Sequence, residues 1–313
     1  MTAAALRLGT RRSALAQAQS RQVAEALTAA TGRAVELVEV TTAGDVSSAP
    51  LAQLGGTGVF VSALREALLA GRVDLAVHSL KDLPVVDQEG FEAIVLAAVP
   101  ERADPRDVLV AANGGTLATL PAGAIVGTGS PRRAAQLAAA RPDLQVVDVR
   151  GNVDTRIGFV ADGRLDAVVL AYAGLARLGR IDEATQVLDL DVMLPAPGQG
   201  ALAVECRGGE PVADLLASLD HPATRTAVTA ERALLAALEA GCSAPVGALA
   251  DLGQAGELVL RAAVAGVRPD LWRLSASGSP QDPAGLGRLL AMRVLEESSE
   301  HEPSEGLWGV RVQ

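Results

Sequence analysis

Lys81 and Asp82 stand side by side in the stretch HSLKDLP, directly after the apolar run VDLAV. A base and an acid at the exit of a strand can hold an anion and stabilise a positive charge formed in a reaction. Lys81 is also the single lysine among 27 basic residues. A compact ammonium reaches a carboxylate where a planar guanidinium does not fit. Arginines gather in other short loops. GTRRS (9–13) carries Arg11 and Arg12 with Ser13. GTGSPRR (127–133) carries Thr128, Ser130, Arg132 and Arg133. RGNVDTR (150–156) carries Arg150, Asn152 and Arg156. Guanidinium groups bind carboxylates or phosphates through paired hydrogen bonds, and helix starts add a positive field. The set points to a ligand with many negative groups. Taken singly, each arginine reads as a solvated surface charge of little energetic weight. GTGSPRR lacks the Gly-Lys-Ser/Thr ending of a phosphate loop.

Asp82 among these bases stays ionised and can pair with a developing cation. On the residues alone, a helix cap or an ion pair with Lys81 is the plainer reading. The two cysteines lack metal-ligand spacing. Cys206, in LAVEC, reads as an inert buried thiol. Cys242, in EAGCSAP, falls in a loop between a helix and a strand and is the candidate for a reactive or modified thiol.

The elements that must position these residues alternate. ALRLG and AVELVEV read as strands, SALAQAQSRQVAEALTAA as a helix capped by Ser13, VFVSALREALLAG as a helix and VDLAVHS as a strand. Apolar strands separated by helices predict a mostly parallel sheet covered on both faces. The pattern then repeats. AGAIVGTGSPRRAAQL matches the first strand and helix, and GRLDAVVLAYAGLARLG echoes GRVDLAVHSLKDL almost position by position. The loops after such strands open on one edge, so the basic loops share that edge. This gives two α/β lobes joined near PERADPRD (100–107), with LPAPGQG (194–200) crossing back, and a ligand cleft between them. A small α+β domain follows. The expected limits are 1–99 with 200–219 for the first lobe, 100–199 for the second and 220–313 for the third domain.

Composition narrows the class. The chain has 313 residues, 49% hydrophobic, with aromatics at 2% and a net charge of −10. That excludes an aromatic-stacking nucleic-acid binder and argues against an acidic membrane surface. AIVLAAV is too short to span a bilayer. The start lacks the apolar run of a signal peptide, which with two cysteines reads as a reducing cytoplasm.

These motifs together resemble the porphobilinogen deaminase (hydroxymethylbilane synthase) family along essentially the whole chain: RLGTRRSALAQAQ, GGTGVFVSALREALLAGRVDLAVHSLKDLP, RADPRD, GTGSPRRAAQL, RGNVDTR, LPAPGQGALAVEC and TAERALLAALEAGCSAPVG. The resemblance implies two lobes of the periplasmic-binding-protein kind plus a cysteine-bearing third domain. It implies a transferase of haem biosynthesis that condenses four porphobilinogens onto a covalent dipyrromethane and releases the linear tetrapyrrole. Cys242 would carry that cofactor by a thioether, and Asp82 would be the catalytic carboxylate. Lys81, Thr128, Ser130, Arg132, Arg133 and Asp82 would bind the cofactor. Arg11, Ser13, Arg150, Asn152, Arg156, Phe60, Arg177, Gln199 and Gly200 would bind substrate and the growing polypyrrole, Phe60 by stacking. The family implies a monomer with no metal, nucleic-acid or membrane partner. One departure is Thr57 in GGTGVF, where many members have lysine; the resemblance implies a lid at this place, and Thr57 does not supply the charge contact that a lysine there would make. The rival class is a solute-binding or effector-sensing protein on the same lobes, which needs neither Cys242 nor Asp82. A phosphate- or nucleotide-using transferase would need a phosphate loop or metal carboxylates that the sequence does not contain.

Overall fold

The computed structural model describes residues 4–41, 58–86, 88–240, 244–266 and 270–300, without the side chains of 58–60 and 298–300. The chain divides into two compact units, 1–103 with 201–225, and 104–200 with 226–313.

In the first unit, β1 (Leu6–Thr10), α1 (Ala14–Thr31), β2 (Val35–Glu39), α2 (Gly58–Leu69) and β3 (Leu75–Ser79) alternate as the sequence predicts. β4 (Ile94–Ala98) follows, and β10 (Leu202–Arg207) with α6 (Pro211–Leu216) completes the unit. The sheet order is β2-β1-β3-β10-β4. β1, β2 and β3 run parallel, and β10 is antiparallel to both its neighbours. One face packs Leu6, Leu8, Leu75, Val77, Leu202 and Val204 against Val23 and Leu27 of α1 and Leu216 of α6. The other packs Val40, Val73 and Ala76 against Leu64 and Leu68 of α2. Burial on both faces is why β3 reads as a continuous apolar run. β2 departs from that pattern. It is one of the two edge strands, and Glu36, Leu37 and Glu39 are exposed, so its charges guard an open edge.

The second unit repeats the plan. β5 (Asp107–Ala111), β6 (Ile125–Gly127), α3 (Pro131–Ala140), β7 (Gln145–Val147), α4 (Val153–Ala161), β8 (Ala167–Ala171), α5 (Tyr172–Arg177) and β9 (Gln186–Val187) form a sheet of order β7-β6-β8-β5-β9. β6, β7 and β8 are parallel and β5 is antiparallel. Thus β6, β7, β8, β5 and β9 stand where β1, β2, β3, β10 and β4 stand in the first unit. The echo extends to single bonds. The Asp74 carboxylate accepts from Arg7 N–H at 2.8 Å, and the Asp166 carboxylate accepts from Ile125 N–H at 2.7 Å. Each sheet receives its antiparallel strand from the chain that has just crossed from the other unit.

Helix α7 (Pro222–Ala237) leads to a separate antiparallel sheet, β11 (Val246–Leu252), β12 (Leu258–Val264) and β13 (Trp272–Gly278), followed by α8 (Pro283–Glu300). Among the described residues no helix is long and apolar enough to cross a membrane.

Candidate active site

In the first unit the strand ends are fixed by side chains that α1 supplies. Ser13 caps that helix, its hydroxyl accepting from Ala16 N–H at 3.3 Å. Ser20, fully buried, donates to the Thr10 hydroxyl at 2.8 Å and pins α1 to the end of β1. Half-buried Arg11 and exposed Arg12 occupy the link between them. Beside Ser20, the Gln19 amide donates to Ser79 Oγ at 2.8 Å, at the last residue of β3.

Beyond Ser79 the chain makes a 3-10 turn, Leu80–Asp82. Leu80 N–H donates to Ala201 O at 3.0 Å, and Leu83 N–H returns to Leu80 O at 3.1 Å. Leu80 and Leu83 are buried anchors on either side, Lys81 is half-buried and Asp82 is exposed. Within its unit Asp82 is open, because the apolar residues that anchor the turn flank it rather than cover it.

In the second unit, Thr128 N–H donates to Val147 O at 2.9 Å, and the Thr128 hydroxyl accepts from Ser130 N–H at 3.2 Å. Ser130 is the N-cap of α3 yet makes no side-chain cap bond, and Pro131 fills the first position. The helix start therefore keeps unclaimed N–H groups and a positive field. Gly129 is needed here. A Cβ on it would lie 2.7 Å from the Val149 carbonyl oxygen.

Arg132 and Arg133 follow, and they are not open loop arginines. They are 3% and 5% exposed, and both engage the Asp107 carboxylate, itself 0% exposed. Arg132 Nη2 lies 2.8 Å from Oδ2 and Arg133 Nη2 lies 2.8 Å from Oδ1. Gln199 adds an amide donor to Oδ1 at 2.7 Å. Arg132 also donates to Leu194 O, and Arg133 donates to Val169 O at 3.0 Å. Burial alone pushes Asp107 up, but the two guanidinium groups outweigh it and hold the carboxyl far below the usual carboxylate range. Burial lowers the Arg132 pKa, opposed by Asp107. The Nε of each arginine is buried without a hydrogen-bond partner among the described residues.

Arg150 is exposed, its Nε 3.4 Å from an Asp148 oxygen. Asn152 caps α4, its oxygen accepting from Thr155 N–H at 2.8 Å and from the Thr155 hydroxyl at 2.9 Å. Arg156 is half-buried and donates to Gly151 O at 2.9 Å; burial first, then Arg133, lowers its pKa against Asp148. Burial brings Arg177 down to about 10, and it donates to Gly200 O at 2.8 Å. Gln199, 1% exposed, also donates to Pro105 O at 2.8 Å. Cys206 is a buried free thiol whose pKa burial raises. Cys242, Thr57 and the Phe60 side chain lie outside the described residues.

The sequence reading missed the partners that hold these groups. Asp107 and Gln199 converge on Arg132 and Arg133 from 25 residues before and 67 residues after Arg132. Glu231, 0% exposed on α7, accepts from Gly198 N–H at 2.6 Å and Ala250 N–H at 3.0 Å, tying the crossing segment to β11. Acids inside otherwise apolar strand and helix patterns were the available signal.

Residues 6–214 match the porphobilinogen deaminase, dipyromethane cofactor binding domain, and residues 225–296 match the porphobilinogen deaminase C-terminal domain. The chain belongs to the porphobilinogen deaminase family. A porphobilinogen deaminase 1 of Streptomyces coelicolor is 58% identical, with 100% of both chains covered. The porphobilinogen deaminases of Thermobifida fusca and Mycobacterium tuberculosis are 58% and 52% identical; the first covers 96% of each chain and the second covers 98% of this chain and 99% of its own. Among solved structures, a periplasmic substrate-binding protein of an ABC transporter from Coxiella burnetii aligns with a TM-score of 0.44 at 17% identity, over 71% of this chain and 94% of that one. Members of this family are transferases. Their cofactor, a dipyrromethane, carries carboxylate side chains. The uncapped start of α3, the unpartnered buried Nε atoms beside it and the exposed Arg150 suit such a polyanion.

Proposed function

We propose that this chain performs the deaminative head-to-tail condensation of four porphobilinogens with the residues named above, and that Asp82 is the catalytic carboxylate. The observation that carries this assignment is the exposed Asp82 at the end of a turn anchored by two buried leucines, in a chain that matches the family end to end. When bound, dipyrromethane supplies the nucleophilic pyrrole carbon onto which the first unit is added. The chain's own residues do the rest. The Asp82 carboxylate accepts hydrogen bonds from pyrrole N–H groups and stabilises the positive charge on the substrate as ammonia leaves. It then takes up the proton that the α-carbon of the attacking ring sheds. Cys242 holds the cofactor by a thioether. Lys81, Thr128, Ser130, Arg132 and Arg133 hold cofactor carboxylates, the two arginines through the N–H groups that Asp107 leaves over. Arg11, Ser13, Arg150, Asn152, Arg156 and Arg177 hold acetate and propionate groups of incoming and added rings, with Gln199 and Gly200 shaping that surface and Phe60 stacking on a ring. We place three domains at 1–99 with 200–219, at 100–199 and at 220–313. The protein acts as a cytoplasmic monomer.

The test is the intact mass of the purified chain before and after brief exposure to porphobilinogen. The expected result is an excess of two linked pyrroles that Cys242→Ser abolishes, followed by a ladder of one-pyrrole steps. Asp82→Asn should keep the excess and lose the ladder. A bare chain mass with no ladder, even after time for self-priming, would refute the assignment.

A further inference from the structure

The first unit contains a buried charged cluster that the reaction above does not use. Glu205 on β10, 2% exposed, is held by the Arg65 guanidinium of α2, with Nε to Oε2 at 3.1 Å and Nη2 to Oε1 at 2.7 Å. His78 Nε2, on β3, lies 3.2 Å from the same Oε2. Arg65 also donates to Gln88 Oε1 at 3.0 Å and lies over the Phe91 ring at 5.6 Å. Burying an acid and a base costs several kcal/mol per ion in desolvation, so such a cluster is weak support for a stabilising role.

The second unit supplies an internal control. The aligned stretches GRVDLAVHSLKDL and GRLDAVVLAYAGLARLG make Asp74 equivalent to Asp166, as their matching bonds to the first strand confirm. At the same offset, Arg65 corresponds to Ile157 and His78 to Leu170. Glu205 pairs with Ala76 and Val110 pairs with Val168, the equivalent residue, so Glu205 corresponds to Val110. Ile157, Leu170 and Val110 are all buried in one apolar cluster. The same fold is therefore built a second time with three apolar residues where the first unit has Arg, His and Glu. The copies diverge again just downstream. Lys81 and Asp82 correspond to Ala173 and Gly174. Only the unit that ends β3 on the acid carries the charged cluster.

We propose that Glu205, Arg65 and His78 are positioning residues for Asp82. Glu205, bonded to α2 and facing His78, fixes the end of β3 against β10 and α2 in a way that apolar contact does not. The apolar pattern sets the register of β3, and directional ionic bonds add a constraint on its position, a specificity role that buried charges serve in some proteins. β10 has a register shift between Val204 and Glu205 against β4, the kind of irregularity that re-aims a side chain. Three residues before that shift, Ala201 accepts the Leu80 N–H that begins the turn bearing Asp82. This inference rests on the assignment of Asp82 as the catalytic carboxylate.

The test transplants the second unit's solution into the first, as the triple variant Arg65→Ile, His78→Leu, Glu205→Val. Intact mass, thermal midpoint, kcat and KM are measured in the native background and in Asp82→Glu, whose longer side chain already displaces the carboxylate. The expected result is a folded, cofactor-loaded protein with an unchanged or higher midpoint. Its kcat falls about tenfold with KM within about twofold, and the kcat loss disappears in the Asp82→Glu background. A kcat within about twofold of the native chain, or the same proportional loss in both backgrounds, would overturn the proposal. If the triple variant does not fold, Glu205→Gln, isosteric and uncharged, is scored by the same two-background comparison. A native chain with no two-pyrrole mass and no turnover would instead remove the Asp82 assignment itself, and is distinguishable on that ground.

Discussion

At the residue scale, charge is managed by burial as much as by exposure. Arg132 and Arg133 carry their positive charges into the interior and, among the described residues, the acid within bonding distance that balances both is Asp107. Removing that acid leaves two buried guanidinium groups uncompensated. Asp107→Asn should therefore lose roughly 3–5 kcal/mol of stability, read from chemical denaturation. The pH dependence has a definite sign. Asp107 has a folded value far below its ordinary 3.8, so its stabilisation is complete above that value and is lost as pH falls below it toward the folded value. Glu205 behaves alike, burial pushing it up but His78 and Arg65 bringing it down to about 2. The native chain should lose stability steeply on acidification below about pH 4, and Asp107→Asn should show a shallower slope over the same range. An equal slope would mean that the buried carboxylate is not ionised in the folded state.

At the scale of elements, the strands and helices were readable because their periodicities are clean. The run VDLAVHS is β3, the Ser13-capped stretch is α1, and the echoed half-sequences become sheets of matching order. β2 was readable as a strand but not in its place in the sheet; Glu36 and Glu39, exposed at the edge, are the residues that mark it. The arginines were legible as a set but not in their partners. No local rule connects Arg133 to Asp107, 26 residues away, because the pairing exists only once β5 takes its place beside β8. The same holds for Glu205 and Arg65, 140 residues apart. Loop glycines carry their own prediction. Gly129→Ala would set a Cβ 2.7 Å from the backbone oxygen of Val149, an atom that cannot rotate away. A cost of about 1–3 kcal/mol is expected, together with displacement of Thr128 and Ser130. Thermal midpoint and the affinity of the α3 start for a dicarboxylate would report the two effects separately.

At the scale of the whole molecule, the two units divide the labour although they share a plan. One presents Asp82; the other gathers arginines around a buried acid. Each sheet contains one such antiparallel strand, but β5 opens its own unit whereas β10 follows β4 by about a hundred residues, and that difference sets a timetable for synthesis. The second sheet, β5 to β9, is complete once residue 187 has emerged from the ribosome. The first lacks β10, which separates β3 from β4, until residue 207 has followed. The expected order of folding during translation is therefore the reverse of the usual N-terminal-first one. Nascent chains stalled after residue 187 has cleared the exit tunnel should resist protease across 104–187 while residues 1–103 are still digested. Protection of the first hundred residues should appear abruptly after residue 207 clears the tunnel. The turn that bears Asp82 is thus made early in synthesis, while the strand that accepts its first N–H, reached through Ala201, arrives more than a hundred residues later.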